Sequence, residues 1–353
     1  MSPTLQPRMT SILTFNVFTG SPLPIRGTRA LAGSERLQEQ LAGVAGLAPD
    51  VACLQEVYSD EVREAYKAHF AKTHALEVVM TNPPRLARVL AEVIVWVTTF
   101  SVFLIFYAAT CLSSSEEMGY GLAVLLLFAF NALCRTVLRE SALIGFLTGR
   151  TAGGLAILYN RSTLRLSRTR TVYLKEQRGD LMNRLRPRCI QVADFTRIRV
   201  YPITPRGPPV PRAPDRLVII NMHANALGDD SFRASQLNEV SLLAAGFDDG
   251  TSDVVVAGDF NAGPTSPSVR QLSACGLRDA ASSTGAGDDY TWDARNTLTL
   301  GYMRHEDHRS DYVYHRGSGT ILDCRVVMNM PPYTSDHFGV LVRMTASRDD
   351  DGV

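Results

Sequence analysis

Two uncharged runs break the polar–apolar rhythm of this chain. Val93 to Leu112 (VIVWVTTFSVFLIFYAATCL) holds twenty residues without a charge, and Met118 to Cys134 (MGYGLAVLLLFAFNALC) holds seventeen. About 20 apolar residues cross a bilayer core as a helix, so the first run is long enough and the second lies at the lower limit. Only Ser113 to Glu117 (SSSEE) separates them. The pattern predicts a two-helix transmembrane hairpin, with helices at 93–112 and 118–134 inside an inserted segment 86–140. Buried helices of a soluble core can be as long, but they carry a polar stripe that neither run shows. A shallow hairpin that enters and leaves one leaflet fits the same runs. Arg85 and Arg88 precede the hairpin, and Arg135 and Arg139 follow it. The positive-inside rule then places both flanks, and the rest of this integral membrane protein, in the cytoplasm.

Outside the insert, short apolar strands alternate with amphipathic helices. Ser11–Val17, Val51–Gln55, Leu155–Tyr159, Leu217–His223, Val254–Ala257 and Asp311–Tyr314 read as buried strands, and Ser34–Ala45 and Ser231–Ala245 as helices. This mixture predicts a layered α/β domain, discontinuous over residues 9–85 and 150–345. Gly207–Pro214 (GPPVPRAP) reads as a stiff loop, and residues 346–353 as an acidic tail.

Composition is that of an ordinary globular protein, 45% hydrophobic and 20% charged, and net charge is +1. That balance gives no support to a dedicated nucleic-acid binder, and no stable nucleic-acid partner is expected. Charge is uneven, however. Arg161 to Arg216 carries fourteen Lys and Arg against four Asp and Glu. The stretch 161–216 reads either as solvated strand faces at a sheet edge or as a surface for anionic lipid headgroups, at about 1 kcal/mol per cation. The six cysteines form no CxxC pair, so neither a zinc site nor a disulfide framework is expected, and free thiols of a reducing compartment fit better. The N-terminus lacks the apolar core of a signal peptide.

Four segments place acidic, amide or imidazole groups at the ends of apolar strands. They are Thr14-Phe15-Asn16, Leu54-Gln55-Glu56-Val57, Gly258-Asp259-Phe260-Asn261 and Ser335-Asp336-His337. A Glu closing a buried strand is costly unless paired, and a metal is a common partner. Asp259 and Asn261, at i and i+2 of an extended segment, would point to one spot. An Asx turn closing the strand explains Gly-Asp equally well. Asn221-Met222-His223 ends a further strand, and Asp311 supplies a carboxylate able to orient a histidine.

The order Asn, Glu, His, Asp-x-Asn, Asp-Tyr, Asp-His resembles the endonuclease/exonuclease/phosphatase superfamily over residues 9–85 and 150–345. The resemblance implies a DNase I-like four-layer α/β/β/α sandwich, here interrupted by the hairpin, and a metal-dependent phosphoric diester hydrolase. It implies that Glu56 binds Mg²⁺ (with Mn²⁺ as a substitute), with Asn16 and Asp336 beside it. Asp259 would orient or deprotonate the attacking water, and Asn261 would hold a phosphate oxygen. His337 would act as general base or donor, oriented by Asp311, and His223 and Asn225 would meet the substrate. Sequence leaves open which histidine is the base.

Glu56-Val57-Tyr58, Asn221-Met222-His223-Ala224-Asn225-Ala226 with Arg233 and Gln236, and Tyr290-Thr291-Trp292-Asp293 with Asn296 are similar to stretches of the neutral sphingomyelinase-like branch. That branch implies a membrane lipid as substrate, cut to phosphocholine and ceramide, and contact with the bilayer through residues 93–134. A bilayer anchor gives proximity to a substrate that cannot leave the membrane. The alternatives are a nuclease or phosphoinositide phosphatase with the same machinery, and a catalytically inactive membrane scaffold.

Overall fold

The computed structural model describes residues 9–18, 34–80, 85–113, 120–139, 147–175, 187–198, 215–226, 229–247, 249–287, 289–299 and 307–346, with the side chains of 109–113, 120–123 and 135–139 excepted. The expected hairpin tip at 114–117, the loop Gly207–Pro214 and all but the first residue of the acidic tail lie outside them.

Twelve strands are described: β1 (Met9–Asn16), β2 (Val51–Gln55), β3 (His74–Met80), β4 (Thr151–Asn160), β5 (Leu164–Tyr173), β6 (Cys189–Arg197), β7 (Arg216–His223), β8 (Asp253–Asp259), β9 (Arg278–Asp279), β10 (Asp311–Arg316), β11 (Ile321–Val327) and β12 (Gly339–Thr345). They form two six-stranded sheets, in the orders β11-β12-β1-β2-β4-β3 and β5-β6-β7-β8-β10-β9. Only β1/β2 and β7/β8 pair in parallel. The helices are α1 (Glu35–Leu47), α2 (Asp60–Phe70), α3 (Arg85–Ser113), α4 (Tyr120–Arg139), α5 (Asp230–Ala245), α6 (Pro267–Ala274) and α7 (Ala280–Thr284).

Strand pleating sorts the side chains into layers. Ile12, Val51, Cys53 and Ile157 of the first sheet meet Ile219, Val255, Ala257 and Val313 of the second in a central core. The alternate residues Leu13, Phe15, Leu54 and Leu158 pack outward on Leu41, Val44, Val62 and Tyr66 of α1 and α2. Val218, Ile220, Val254 and Val256 pack outward on Leu237, Val240 and Leu272 of α5 and α6. Strands buried on both faces need apolar residues at every position, which is why these runs are almost unbroken. Side-chain caps start the outer helices, with Ser34 accepting from Leu37 N, Ser59 from Glu61 N and Asp229 from Phe232 N. The result is the expected two-sheet α/β sandwich of DNase I-like type.

The sheets are joined differently at their two ends. At one, Asn221 of β7 donates to the carbonyls of Leu54 and Ala156 at 3.1 and 3.0 Å, and Gln55 Nε2 donates to Asn221 Oδ1 at 2.8 Å. At the other, the buried Arg197 guanidinium donates to Thr10 Oγ1 of the facing sheet at 3.0 Å and pairs with Asp215 at 2.6 Å and Asp253 at 2.9 Å. Asp253 also meets His315 Nε2 at 2.9 Å and accepts from Gly319 N at 3.0 Å. Burial opposes its ionisation, but His315 and Arg197 hold its carboxyl below the usual range. Removing one member of a buried ion pair strands the other, at about 3–5 kcal/mol. Asp253→Ala is therefore expected to lower the unfolding free energy by that amount in urea titration, and a loss under about 1 kcal/mol would contradict the staple.

The insert departs from the expectation. α3 is longer than predicted, and its Arg85–Ala108 portion is one described helix long and apolar enough to cross a membrane. In α4 the apolar stretch within the described side chains is only Val124–Cys134. The α4 helix itself runs twenty residues, about 30 Å. Among the described side chains one helix, where two were expected, meets the length and hydropathy of a membrane span. The two helices do pack on each other. Asn131 Nδ2 donates to Thr99 Oγ1 at 3.1 Å, and Phe106 and Phe130 lie 5.3 Å apart. Most of the apolar surface of α3 stays exposed, including Val93, Trp96, Val97, Phe100 and Ile105.

The basic stretch is largely accounted for by the fold where it is described. Arg197 is buried in the staple, Arg216 pairs with Asp194 at 2.7 Å, and Arg165, Arg168 and Arg170 stand exposed on β5, an edge strand. Charge on an edge strand discourages pairing with another chain. Among the described cysteines, Cys53, Cys134, Cys189, Cys275 and Cys324 are free thiols.

Candidate active site

Every residue singled out as catalytic, substrate-binding or metal-binding lies at the same end of the sandwich, where β1, β2, β7 and β8 terminate and β10 and β12 begin. Asp259 is the hub. Its Oδ2 accepts from Asn16 Nδ2 at 3.1 Å and lies 3.5 Å from His223 Nε2 and 3.7 Å from His337 Nε2. His337 Nδ1 meets Asp311 Oδ2 at 2.9 Å, and the same oxygen accepts from Ser310 Oγ at 2.9 Å. Asn16 Nδ2 also reaches Glu56 Oε1 at 3.4 Å. One amide therefore links the Glu56 side of the rim to the histidine side.

Local backbone geometry sets these positions. Glu56 has φ +59°, a left-handed conformation that costs a non-glycine residue energy and concentrates at functional sites. It persists because Val57 N donates to Gly154 O at 2.8 Å and Tyr58 N to Glu56 O at 2.7 Å. Gly258 has φ +153°, and a Cβ there would lie 2.0 Å from Met222 O, so only glycine lets β8 approach β7 this closely. Asn261 does not continue the strand as expected. Its φ is +50°, its N–H donates to Asp259 Oδ1 at 2.8 Å, and its Nδ2 donates to Ala224 O at 3.1 Å. Here the Asx turn is realised, and Asn261 braces Asp259 and the segment after His223.

The carboxylates crowd one another. Burial pushes Asp259 up to about 7, opposed by His337 and reinforced by Asp311. Burial likewise pushes Asp336 up to about 7, opposed by His337 and reinforced by Glu56. Burial also raises Glu56 against the pull of His337, Asn16 and two arginines, Arg188 and Arg36. His337 itself is buried, which disfavours its charge, yet Asp311 and Asp259 hold its pKa well above the usual value. His223 is the opposite case. Burial, with Arg188 and His337 nearby, drops it well below the usual value, and its Nδ1 is buried without a hydrogen-bond partner. One histidine is thus kept charged and the other neutral within the same cluster.

Two donor sets could receive a divalent cation. Asp259, Asp311 and His337 offer ligand atoms within 4.8 Å of one another. There the His337 imidazole meets Asp311 through Nδ1 and turns Nε2 toward Asp259, an arrangement that serves a metal-ligating histidine as well as a proton donor. Glu56 and Asp336 offer carboxylate oxygens beside the Asn16 amide, whose Nδ2 faces Glu56 while its Oδ1 accepts from Phe18 N at 3.0 Å, and Glu56 adds to the burial that resists ionisation of Asp336. That set fits a hard cation better.

Sequence reasoning missed the supports of this cluster. Thr291 Oγ1 accepts from the N–H groups of Ser310 and Asp311 at 3.0 and 3.1 Å, and Trp292 meets His337 edge-on at 5.0 Å. Asn296 Nδ2 donates to Ser335 O at 2.8 Å, and Ser335 Oγ donates to Asn16 O at 2.6 Å. Gln236 Oε1 accepts from Asn225 N at 2.9 Å. The YTWD and RxxQ stretches were visible as motifs, but their positioning roles were not. No spacing marked Arg36 or Arg188.

The chain closely follows known architectures despite low identity. A Bacteroides vulgatus endonuclease/exonuclease/phosphatase superposes with TM-score 0.60 at 14% identity, covering 96% of this chain and 100% of that one. D. rerio TDP2 complexed with a single-strand DNA product gives 0.59 at 15%, covering 96% and 99%. Truncated Caenorhabditis elegans TDP2 gives 0.53 at 13%, covering 96% and 98%. No curated protein matches the sequence. The profile of the endonuclease/exonuclease/phosphatase family matches residues 13–337, and the chain belongs to that family of phosphoester hydrolases.

Proposed function

We propose that the protein is a divalent-cation-dependent phosphodiesterase moored to a membrane through α3, cutting the phosphodiester of a sphingomyelin-like lipid to phosphocholine and ceramide. The observation that carries the chemistry is the convergence of Asn16, His223 and His337 on one oxygen of Asp259. Hydrolysis needs a proton acceptor for water and charge stabilisation for the phosphoryl oxygens. Asp259, with a pKa near neutrality, is the acceptor. His337, held as imidazolium by Asp311, donates to the phosphoryl group. His223 stays neutral and donates through one nitrogen. Asn261 keeps Asp259 aligned, and Asn225 faces the substrate. Mg²⁺ (or Mn²⁺), held by Glu56, Asp336 and Asn16, would supply Lewis-acid stabilisation of the phosphoryl oxygens.

The lipid reading rests on the exposed apolar length of α3. With Arg85 and Arg88 at its start, the positive-inside rule favours a cytoplasmic sandwich in this reading. Of the described basic stretch, Lys175 lies exposed just past the Tyr173 end of β5, the end nearest His223, so anionic-lipid contact would fall to it and to the arginines flanking the helices. A nuclease reading is favoured by the likeness to D. rerio TDP2, a structure with single-strand DNA product. Against it stand the near-zero net charge and the apolar helix.

The test is phosphocholine release from sphingomyelin vesicles, with Mg²⁺ or EDTA, beside single-strand oligonucleotide cleavage. Cation-dependent release that Glu56→Ala abolishes is expected. Oligonucleotide cleavage without vesicle activity would replace the lipid reading with the nuclease one.

A further inference from the structure

The membrane helices and the catalytic cluster leave the sandwich from the same rim. β2 ends at Gln55, next to Glu56, and pairs Leu54 with Ala156 of β4. β4 runs antiparallel to β2, so its first residue, Thr151, lies at the catalytic end, and it pairs with Met80, the last residue of β3. The helix α3 thus begins at Arg85, soon after Met80, and residues 147–150 lead into Thr151, both at the level of Glu56. The root is clamped there. Asp60, four residues beyond Glu56, accepts from Arg150 N at 3.1 Å, lies 3.2 Å from Arg150 Nε and pairs with Arg63 at 2.6 Å. Arg63 in turn reaches Met80 Sδ at 3.3 Å. Ala87 and Ala91 of α3 pack on Leu147, and the extended partner of α3 is α4 rather than any strand.

The rim also carries exposed apolar side chains of its own. Register places Tyr173 opposite Cys189, beside the Ile190–Met222 pair that precedes His223. Met330 follows Val327, which pairs with Gly339 just after His337. Tyr290 precedes Thr291, which holds Asp311. Met330 is 73% exposed, and Met80, Tyr173 and Tyr290 are each about half exposed. At the far end stand Met9 and Leu322, placed by the Met9–Thr345 and Ile321–Met344 pairs. The exposed arginines Arg161 and Arg165 lie at that far end too, beyond Asn160, the last residue of β4.

We infer that the sandwich sits on the bilayer with its catalytic rim against the headgroups, Met330 and Tyr290 touching the interface and α3 descending from the rim. This orientation rests on the mooring proposed above and deepens it. The cluster around Asp259 lies at headgroup depth, so the substrate is a phosphodiester still seated in its membrane and is cut without extraction. It also excludes Arg161 and Arg165 as lipid contacts, because they are held away from the surface.

Site-directed fluorescence in vesicles tests this. Met330→Cys and Leu322→Cys, each in a Cys275→Ser background, carry a fluorophore at the two ends. The full chain is reconstituted into phosphatidylcholine vesicles containing headgroup-nitroxide lipid and recovered by flotation. Ten-residue strands separate the ends by roughly 30 Å, and interfacial groups enter only about 5–10 Å. The Met330 label is expected to lose about half its emission or more while the Leu322 label keeps its own. Equal quenching at both positions, at neither, or only at Leu322 overturns the orientation while leaving the mooring in place. Failure to float with vesicles overturns the mooring and this orientation with it. A dimer in detergent that does not float would assign the apolar helix to a second copy. None of these readouts depends on turnover, so an inactive protein tests only the proposed chemistry.

Discussion

Replacing His337 with alanine is expected to lower kcat about a thousandfold, the effect of removing a positioned proton donor from a phosphoryl-transfer site. Because the change leaves the buried Asp311 carboxylate without its partner, at about 3–5 kcal/mol, the loss is read on protein shown to be folded by its Tm. Asp311→Asn gives the more diagnostic result. Asp311 holds His337 protonated and also raises Asp259. Removing its charge therefore lowers both pKa values together. If the active form pairs a charged His337 with an ionised Asp259, both limbs of the pH–rate profile shift to lower pH. A uniform loss without displacement of the profile would show that Asp311 only props up the imidazole. The measurement is kcat/KM against pH for the wild type and Asp311→Asn, with Tm of each variant as the control for folding.

Much of the candidate site was legible in the sequence because its polar groups sit where apolar strands stop. Asn16, Gln55-Glu56, His223 and Asp259 each close a run of buried residues, and such runs are the strongest local signal a chain offers. β3 and β5 were missed for the converse reason. Both are edge strands, and HALEVVM and LRLSRTRTVY mix exposed charges with apolar residues in a way that blurs the alternation. Asn261 was legible as a residue but not as a conformation. Spacing suggested an extended strand, while the hydrogen bond from its own N–H to Asp259 turned the backbone left-handed. The arginines that modulate Glu56 were not legible at all. Arg36 lies on α1 and Arg188 before β6, and only tertiary packing brings them to the rim. The apolar insert was seen by composition, and among the described side chains one helix of spanning length is found where two were expected.

Without a bound cation, the protein should lose stability as pH rises from about 5 to 7.5, and Mg²⁺ should restore it mainly at the upper end. The sign follows from the carboxyls. Asp259 and Asp336 ordinarily titrate near 3.8 and are pushed up to about 7 in the fold. A group raised on folding stabilises fully below its unfolded pKa, and that contribution is lost as pH climbs through the folded value. At about 1.4 kcal/mol per pH unit, one such carboxyl alone costs about 4 kcal/mol between its unfolded value and pH 7, of which roughly 3 falls above pH 5. Glu56 and His337 are raised as well and act in the same sense. His223, depressed by burial, contributes stability present above its unfolded pKa and lost as pH falls through its folded value, so it opposes the trend only below about pH 6.5. A hard cation between Glu56 and Asp336 would stabilise their charged forms and reverse the loss. The measurement is Tm at pH 5 and 7.5, in EDTA and in millimolar Mg²⁺. A larger Mg²⁺-induced rise at pH 7.5 than at pH 5, reduced in Glu56→Gln, places the cation on that carboxylate. A Tm in EDTA that climbs steadily to pH 7.5 and ignores Mg²⁺ would show that the crowded carboxylates are relieved by their histidine and amide neighbours alone.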